Sequence, residues 1–289
     1  MTAGPNAAMR SGMSLLVIAL VLGSAVLHAS WNAMLRSGAD RLWSMSVMCA
    51  ACAVLAAPVA LIAPMPAPES WPYLAGSAAV QVLYALFLVR AYRTGLLAHV
   101  YPIARGTAPL LVTLGAAAVA GEQLAPLGLM GVVLVSGGIM AIAFGRGRPD
   151  AASIAAAVAT GVFIAAYMLI DGLGVRLSGH PIGYAAWQDA VAGAPMPLAY
   201  LAIRRQWPAL AWTGELGKAV GGGAISVTAY GVVIWAMSRS AMGQVSALRE
   251  TSILFAALIG AVFLKERLTA RRLLGAAMIA GGAVALSVG

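Results

Sequence analysis

Two segments of this chain match each other at a fixed offset of 144 positions, and each copy carries an arginine inside an otherwise apolar run. LLVTLGAAAVAGEQLAPLGLMGVVLVSGGIMAI follows Arg105, and ILFAALIGAVFLKERLTARRLLGAAMIAGGAVAL follows Arg249. At that offset Arg105 falls on Arg249, Glu122 on Glu266, Leu124 on Leu268, Gly131 on Gly275, and the pair Gly137 and Gly138 on Gly281 and Gly282. A match of this length marks a duplication, so whatever the chain folds into is built twice.

Composition places that duplicated unit in a membrane. Hydrophobic residues make up 62% of the 289 and charged residues 9%, with a mean hydropathy of +0.91; a soluble domain is roughly a quarter charged. Apolar runs fall at 14–34, 43–63, 71–91, 96–118, 126–144, 152–174, 183–202, 216–237, 241–263 and 270–288. Each is close to the ~20 residues that carry a helix across ~30 Å of hydrocarbon. The expected fold class is therefore an all-α integral membrane protein of ten transmembrane helices. Pro58, and Pro195 with Pro197, interrupt the second and seventh runs. The first run reads as a working helix rather than a cleaved signal, because its polar face continues into Trp31 and Asn32.

The formal charge of +9 suggests nucleic acid only until its placement is considered. Of the 18 Lys and Arg, thirteen lie at alternate loops, including Arg36–Arg41, Arg146–Arg148 and Lys265–Arg272. The positive-inside rule makes those loops cytoplasmic and puts both termini outside. No nucleic-acid partner is expected; the partners expected are the lipid bilayer and a small-molecule substrate. Five helices per repeat is an odd number, so the second repeat enters the membrane upside down. The halves are expected at 1–147 and 148–289, as two inverted five-helix repeats around a central cavity.

VYPIARGTAPLL with GEQL after it, and ALRETSILFAALIGAVFLKERL, resemble the end-of-repeat motifs of the ten-helix EamA-type branch of the drug/metabolite transporter superfamily. HASWNAMLRSG and AAYMLIDGLGVR are similar to that branch as well, and the resemblance covers essentially the whole chain. It implies a basket of two inverted bundles, a cavity between them, and alternating access. It further implies a multi-pass protein of the bacterial inner membrane, a monomer or homodimer without cofactor, exporting a small metabolite. The small four-helix multidrug members of the superfamily use a glutamate in helix 1, and no acid occurs there in this chain.

The residues that carry chemistry are few. Arg105 and Arg249 each sit ~12–14 Å into their helices at 1.5 Å per residue. A mid-membrane arginine costs at least ~2.5–3.5 kcal/mol, so each faces a wet cavity or a partner. Two readings stand: guanidinium forks holding a substrate anion, or internal pairing that braces the bundle. Pro102 and Pro109 leave the carbonyls of Ala98 and Arg105 without their helical donors, which suggests a kinked transport helix or a plain kink met by Tyr101 and nearby hydroxyls. Polar stripes at helical spacing add Ser24, His28 and Asn32; Ser77, Gln81 and Tyr84; Tyr167 and Asp171; and Ser226 and Tyr230, with Gln244 on the helix of Arg249. The substrate-binding set expected is Arg105, Arg249, His28, Asn32, Gln81, Tyr84, Tyr101, Tyr167, Tyr230 and Gln244.

Glu250 is the candidate for proton coupling, although i,i+1 neighbours on a helix do not face each other and Arg249 is adjacent. Asp171 and Asp189 read as shallower. Glu122 and Glu266 read as repeat architecture, capping the following helices or pairing with basic loops. Cys49 and Cys52 lie on an apolar helix with no second pair, which excludes a zinc or redox motif. No metal or catalytic residue is expected: HExxH and a nucleophile elbow are both missing. An intramembrane enzyme and a transport-free scaffold or accessory protein are the alternatives to the transporter.

Overall fold

The computed structural model describes residues 13–93, 97–143, 151–208, 210, 214–263 and 269–289. The side chain of Tyr101, the basic residues Arg146, Arg148, Lys265 and Arg267, and Glu266 lie outside the described residues. Among those described, the chain is helical with no strand. The first half holds α1 (Leu15–Ser37), α2 (Arg41–Ile62), α3 (Trp71–Arg93), α4 (Leu97–Ala120) and α5 (Pro126–Ala143). The second holds α6 (Ala151–Leu177), α7 (Pro181–Gly193), α8 (Pro195–Arg204), α9 (Gly214–Met237), α10 (Met242–Arg249), α11 (Ser252–Phe263) and α12 (Ala270–Val288).

Helix is what apolar chain must form in lipid, where every backbone group has to be met internally. The ends are set by local chemistry. Asp40 accepts from the N–H groups of Leu42 and Trp43, Ser14 from Val17 and Thr269 from Arg272, which caps α2, α1 and α12. Among the described residues six helices are long and apolar enough to cross a membrane: α1, α2, α4 from Pro102, α6, α9 and α12. The sequence analysis expected ten such spans. Two of the other four runs are divided, and α5 is short.

The divisions have different causes. Pro195 and Pro197 have no N–H for the carbonyls of Val191 and Gly193, so the seventh run splits into α7 and α8. The ninth run splits without a proline. Between α10 and α11 the bonding tightens to three-residue spacing: Glu250 N donates to Ala247 O (3.1 Å), Thr251 N to Leu248 O (3.2 Å) and Ile253 N to Glu250 O (3.1 Å). The Thr251 hydroxyl also donates to Leu248 O at 2.7 Å. Helix α4, which holds the two prolines expected to kink it, is a single helix through Pro102 and Pro109. The break lies at the repeat-equivalent helix.

Small residues bring the two halves together. A Cβ placed on Gly131 would lie 2.8 Å from Gly282 O, and one on Gly138 would lie 2.6 Å from Gly275 O. Helices α5 and α12 therefore run antiparallel at backbone contact. Gly223 meets Met48 O at 2.7 Å by the same measure and Gly193 abuts Cys49 O, which draws α9 and α7 onto α2. Ser24 on α1 donates to Ala229 O on α9 at 2.8 Å, and α3 packs on α6.

One end of the bundle is closed by polar contacts. Arg176 Nη2 donates to Glu122 Oε1 (2.5 Å) and to Ser240 O (3.0 Å), and its Nε donates to Met237 O (3.0 Å). Glu122 also accepts from Met242 N at 2.9 Å. Of the two roles expected of Glu122, pairing with a basic residue is seen with Arg176, and the helix it caps is α10 across the interface rather than the following one. At the other end Arg204 pairs with the α2 cap Asp40 at 2.8 Å.

Candidate binding cavity

A cavity of about 140 Å³ lies between the halves. That is close to the ~150 Å³ in which an engineered protein cavity takes a benzene, so it suits a molecule of amino-acid size. The second half contributes Tyr167, Asp189, Ser226, Tyr230 and Arg249. From the first half come His28, Trp31, Gln81 and Tyr84. Met45, Met48, Cys49 and Cys52, at i, i+3, i+4 and i+7 of α2, form a continuous sulfur-bearing wall. These residues sit along the later parts of α1 and α3 and the earlier part of α2. The cavity therefore leans toward the Asp40–Arg204 end, away from Glu122 and Arg176.

The arginines meet beside it around one carboxylate. Arg105 Nη1 lies 2.7 Å from Glu250 Oε1, with 2% and 0% exposure of the two side chains. Arg249 Nη2 lies 3.5 Å from the same oxygen. Arg105 Nη2 also contacts His28 Nε2; since a guanidinium only donates, that nitrogen is the acceptor. The turn at Glu250 explains how two adjacent residues serve one site. With α10 ended at Arg249, the i,i+1 restriction of a continuous helix no longer applies.

Two guanidiniums facing one carboxylate leave the cluster with a positive charge. Arg105 is engaged by Glu250 and His28, whereas Arg249 reaches Glu250 only at the limit of a hydrogen bond. Its Nε–H is buried with no acceptor among the described residues. Burying such a donor unmet costs about 1–3 kcal/mol. Arg249 also lines the cavity, which puts its guanidinium charge beside whatever enters.

A second polar cluster centres on Asp171, which is fully buried. Its carboxylate accepts from Tyr230 OH (2.5 Å), Tyr184 OH (3.3 Å) and Gln81 Nε2 (3.4 Å). Gln81 and Gln188 both donate to Ser77 Oγ at 3.0 Å, extending the network across α3, α6, α7 and α9. The aromatic edge is continuous: Tyr167 stands 5.8 Å from Tyr84 and 6.0 Å from Tyr230 between ring centroids.

Of the residues expected at a site, Arg249, His28, Gln81, Tyr84, Tyr167 and Tyr230 line this cavity. Arg105 stands behind it, joined through Glu250 and His28. Asn32 turns its amide onto His28 O at 2.8 Å, and Gln244 Nε2 lies 3.1 Å from where a Cβ on Gly128 would sit, beside α5. Asp189, which reads from its position as shallow, and Cys49 and Cys52, which lack a second pair, all line the cavity. For Asp189 a signal existed, since an ionisable residue inside an apolar run is a functional candidate by default. For the cysteines it lay in the M-x-x-M-C-x-x-C spacing on a single helical face.

Residues 151–288 match the profile of the EamA-like transporter family. No curated protein matches the chain. A solved crystal structure 19% identical to it shares its fold, with a TM-score of 0.72 and 96% of each chain covered. The matched segment, just under half of the chain, holds Arg249, Glu250, Asp171 and Asp189, and it is this segment that is similar to the EamA-like transporter family.

Proposed function

We propose that the protein is a secondary transporter exporting a small amino-acid-like or anionic metabolite across the bacterial inner membrane by alternating access. The observation that carries this is a cavity lined by both halves of the chain with the buried Arg249 guanidinium in its wall. The repeats 1–147 and 148–289 are read as five spans each, with α7 plus α8 and α10 plus α11 as single interrupted spans. Their inverted relation is supported by the glycine contacts. Exchanging each residue for its counterpart 144 positions away turns the Gly131–Gly282 contact into Gly138–Gly275. A helix that is antiparallel to its own repeat partner fits a pseudo-two-fold axis in the membrane plane.

The cavity leans toward the basic loops that carry Arg36, Arg41, Arg204 and Arg205, which the charge bias assigns to the cytoplasm. Loading from that side suits an exporter, with Glu122 and Arg176 sealing the far end. Glu250, shared by the two arginines, is the coupling candidate. The protein works as a monomer or homodimer in lipid, with no cofactor and no nucleic acid. The test is flux in proteoliposomes against a broad metabolite panel. Saturable movement of at least one compound supports the reading, and movement of none favours a scaffold.

A further inference from the structure

Asp189 carries a carboxylate on the cavity wall that meets no cation and accepts no hydrogen bond among the described residues. Every other described carboxylate in the apolar layer is engaged: Glu250 by Arg105, and Asp171 by two tyrosines and Gln81. An anionic group inside a membrane is expensive unless it is matched. A cation entering the cavity would supply that match.

Its surroundings fix where that match sits. Gly193 abuts Cys49 O, and Ser46 Oγ donates to Met196 O at 3.1 Å, so α7 and α2 run antiparallel with Asp189 level with Cys52 and Ala53. Cys52 Sγ in turn donates to Gly223 O at 3.4 Å, one turn before Ser226. Asp189, Cys52 and Ser226 thus lie together on α7, α2 and α9, while Arg249 lines the same cavity from α10, with His28 on α1 and Tyr167 on α6. The same chamber is lined by the Asp189 carboxyl, the Arg249 guanidinium, and the face of α2 that carries Met45, Met48 and Cys49.

We propose that Asp189 is the cation subsite of the cargo: the transported molecule is a zwitterion whose ammonium docks on Asp189, whose acid group docks on Arg249, and whose apolar body lies along the sulfur-bearing face of α2. This rests on the transporter reading above and narrows it, since a simple anion leaves Asp189 unmatched. Met side chains adapt to varied apolar shapes, so this wall selects for size and apolarity more than for one side-chain shape.

The experiment is calorimetric binding to the purified full chain in detergent, because small acids and amines cross vesicles unaided. Three matched series serve as probes: L-valine, L-leucine, L-methionine and L-threonine; their deaminated acids; and their decarboxylated amines. At least one amino acid is expected to bind wild type about tenfold or more tightly than its acid and its amine, the scale of one charge-assisted bond. Asp189→Asn is expected to bring that amino acid down to the affinity of its acid, leaving the acid's own affinity unchanged. Asp189→Glu restores part of the difference, which a merely structural aspartate would not show. Equal binding of acid and amino acid, a preference that survives Asp189→Asn, or binding of none of the probes overturns the proposal. Wild-type flux of a non-zwitterionic metabolite sinks this inference and leaves the transporter reading intact, whereas absence of all flux sinks that reading itself.

Discussion

Replacing Arg105 and replacing Arg249 by glutamine should have opposite signatures, although the two are repeat equivalents. Arg105 is the tight partner of Glu250 at 2.7 Å, and both side chains are essentially sealed from solvent. Removing one member of such a buried pair costs about 3–5 kcal/mol, which Arg249, still 3.5 Å from the same oxygen, offsets only in part. At the roughly 2–4 °C per kcal/mol of a chain in this size range, Arg105→Gln lowers Tm by on the order of 10 °C. Arg249 holds the same carboxylate only at 3.5 Å and supplies the excess positive charge. Arg249→Gln should then shift Tm by no more than about 4 °C, since less than 1 kcal/mol of pairing is lost. What it removes is the donor facing the cavity, worth about 1.5–3 kcal/mol to an acid group, or roughly ten- to hundred-fold in affinity. Tryptophan-fluorescence melting in detergent, paired with flux in proteoliposomes, separates the two. Equal destabilisation by both variants, or full transport by Arg249→Gln, refutes the assignment of bracing to Arg105 and binding to Arg249.

The other predictions concern packing, coupling and orientation. Gly282→Ala should destabilise by about 1–3 kcal/mol, because its Cβ would meet Gly131 O at 2.8 Å; neighbouring Gly281→Ala, with nothing within 4 Å, should be neutral or stabilising by up to about 1 kcal/mol. Equal melting temperatures for the two variants would contradict the α5–α12 contact. Glu250→Gln should flatten the pH dependence of flux while weakening the fold through Arg105; a retained pH profile would place coupling elsewhere. A single cysteine at Ser37, with Cys49 and Cys52 changed to serine, should resist impermeant reagent added outside intact cells, and labelling there would invert the topology.

The repeat, the membrane class and most of the polar stripes were legible because they are periodic: apolar length and i,i+4 spacing translate directly into helices and faces. The breaks were legible only where proline wrote them. Pro195 announced the α7–α8 division, but the α10–α11 turn arises from three-residue bonding around Glu250 and Thr251 that no residue type announces. That turn also decided the site, because it let Arg249 and Glu250 face one place. Glu122 misled for a related reason. Its partners Arg176 and Met242 are 54 and 120 positions away, and local capping rules do not reach across an interface. Asp189 and the M-x-x-M-C-x-x-C face were visible as residues, yet which side of α7 and α2 meets open space depends on helix packing.

Alternating access around this cavity can be tested with the chain's own two cysteines, Cys49 and Cys52, which both line it. The measurement is labelling by a membrane-impermeant thiol reagent added separately to each side of oriented vesicles. The account predicts labelling from the face bearing Arg36 and Arg41, labelling also from the opposite face when the Arg176–Glu122 contact is weakened by Glu122→Gln, and protection by transported cargo on both. Cysteines that remain unlabelled from either side in wild type and variant alike would contradict it.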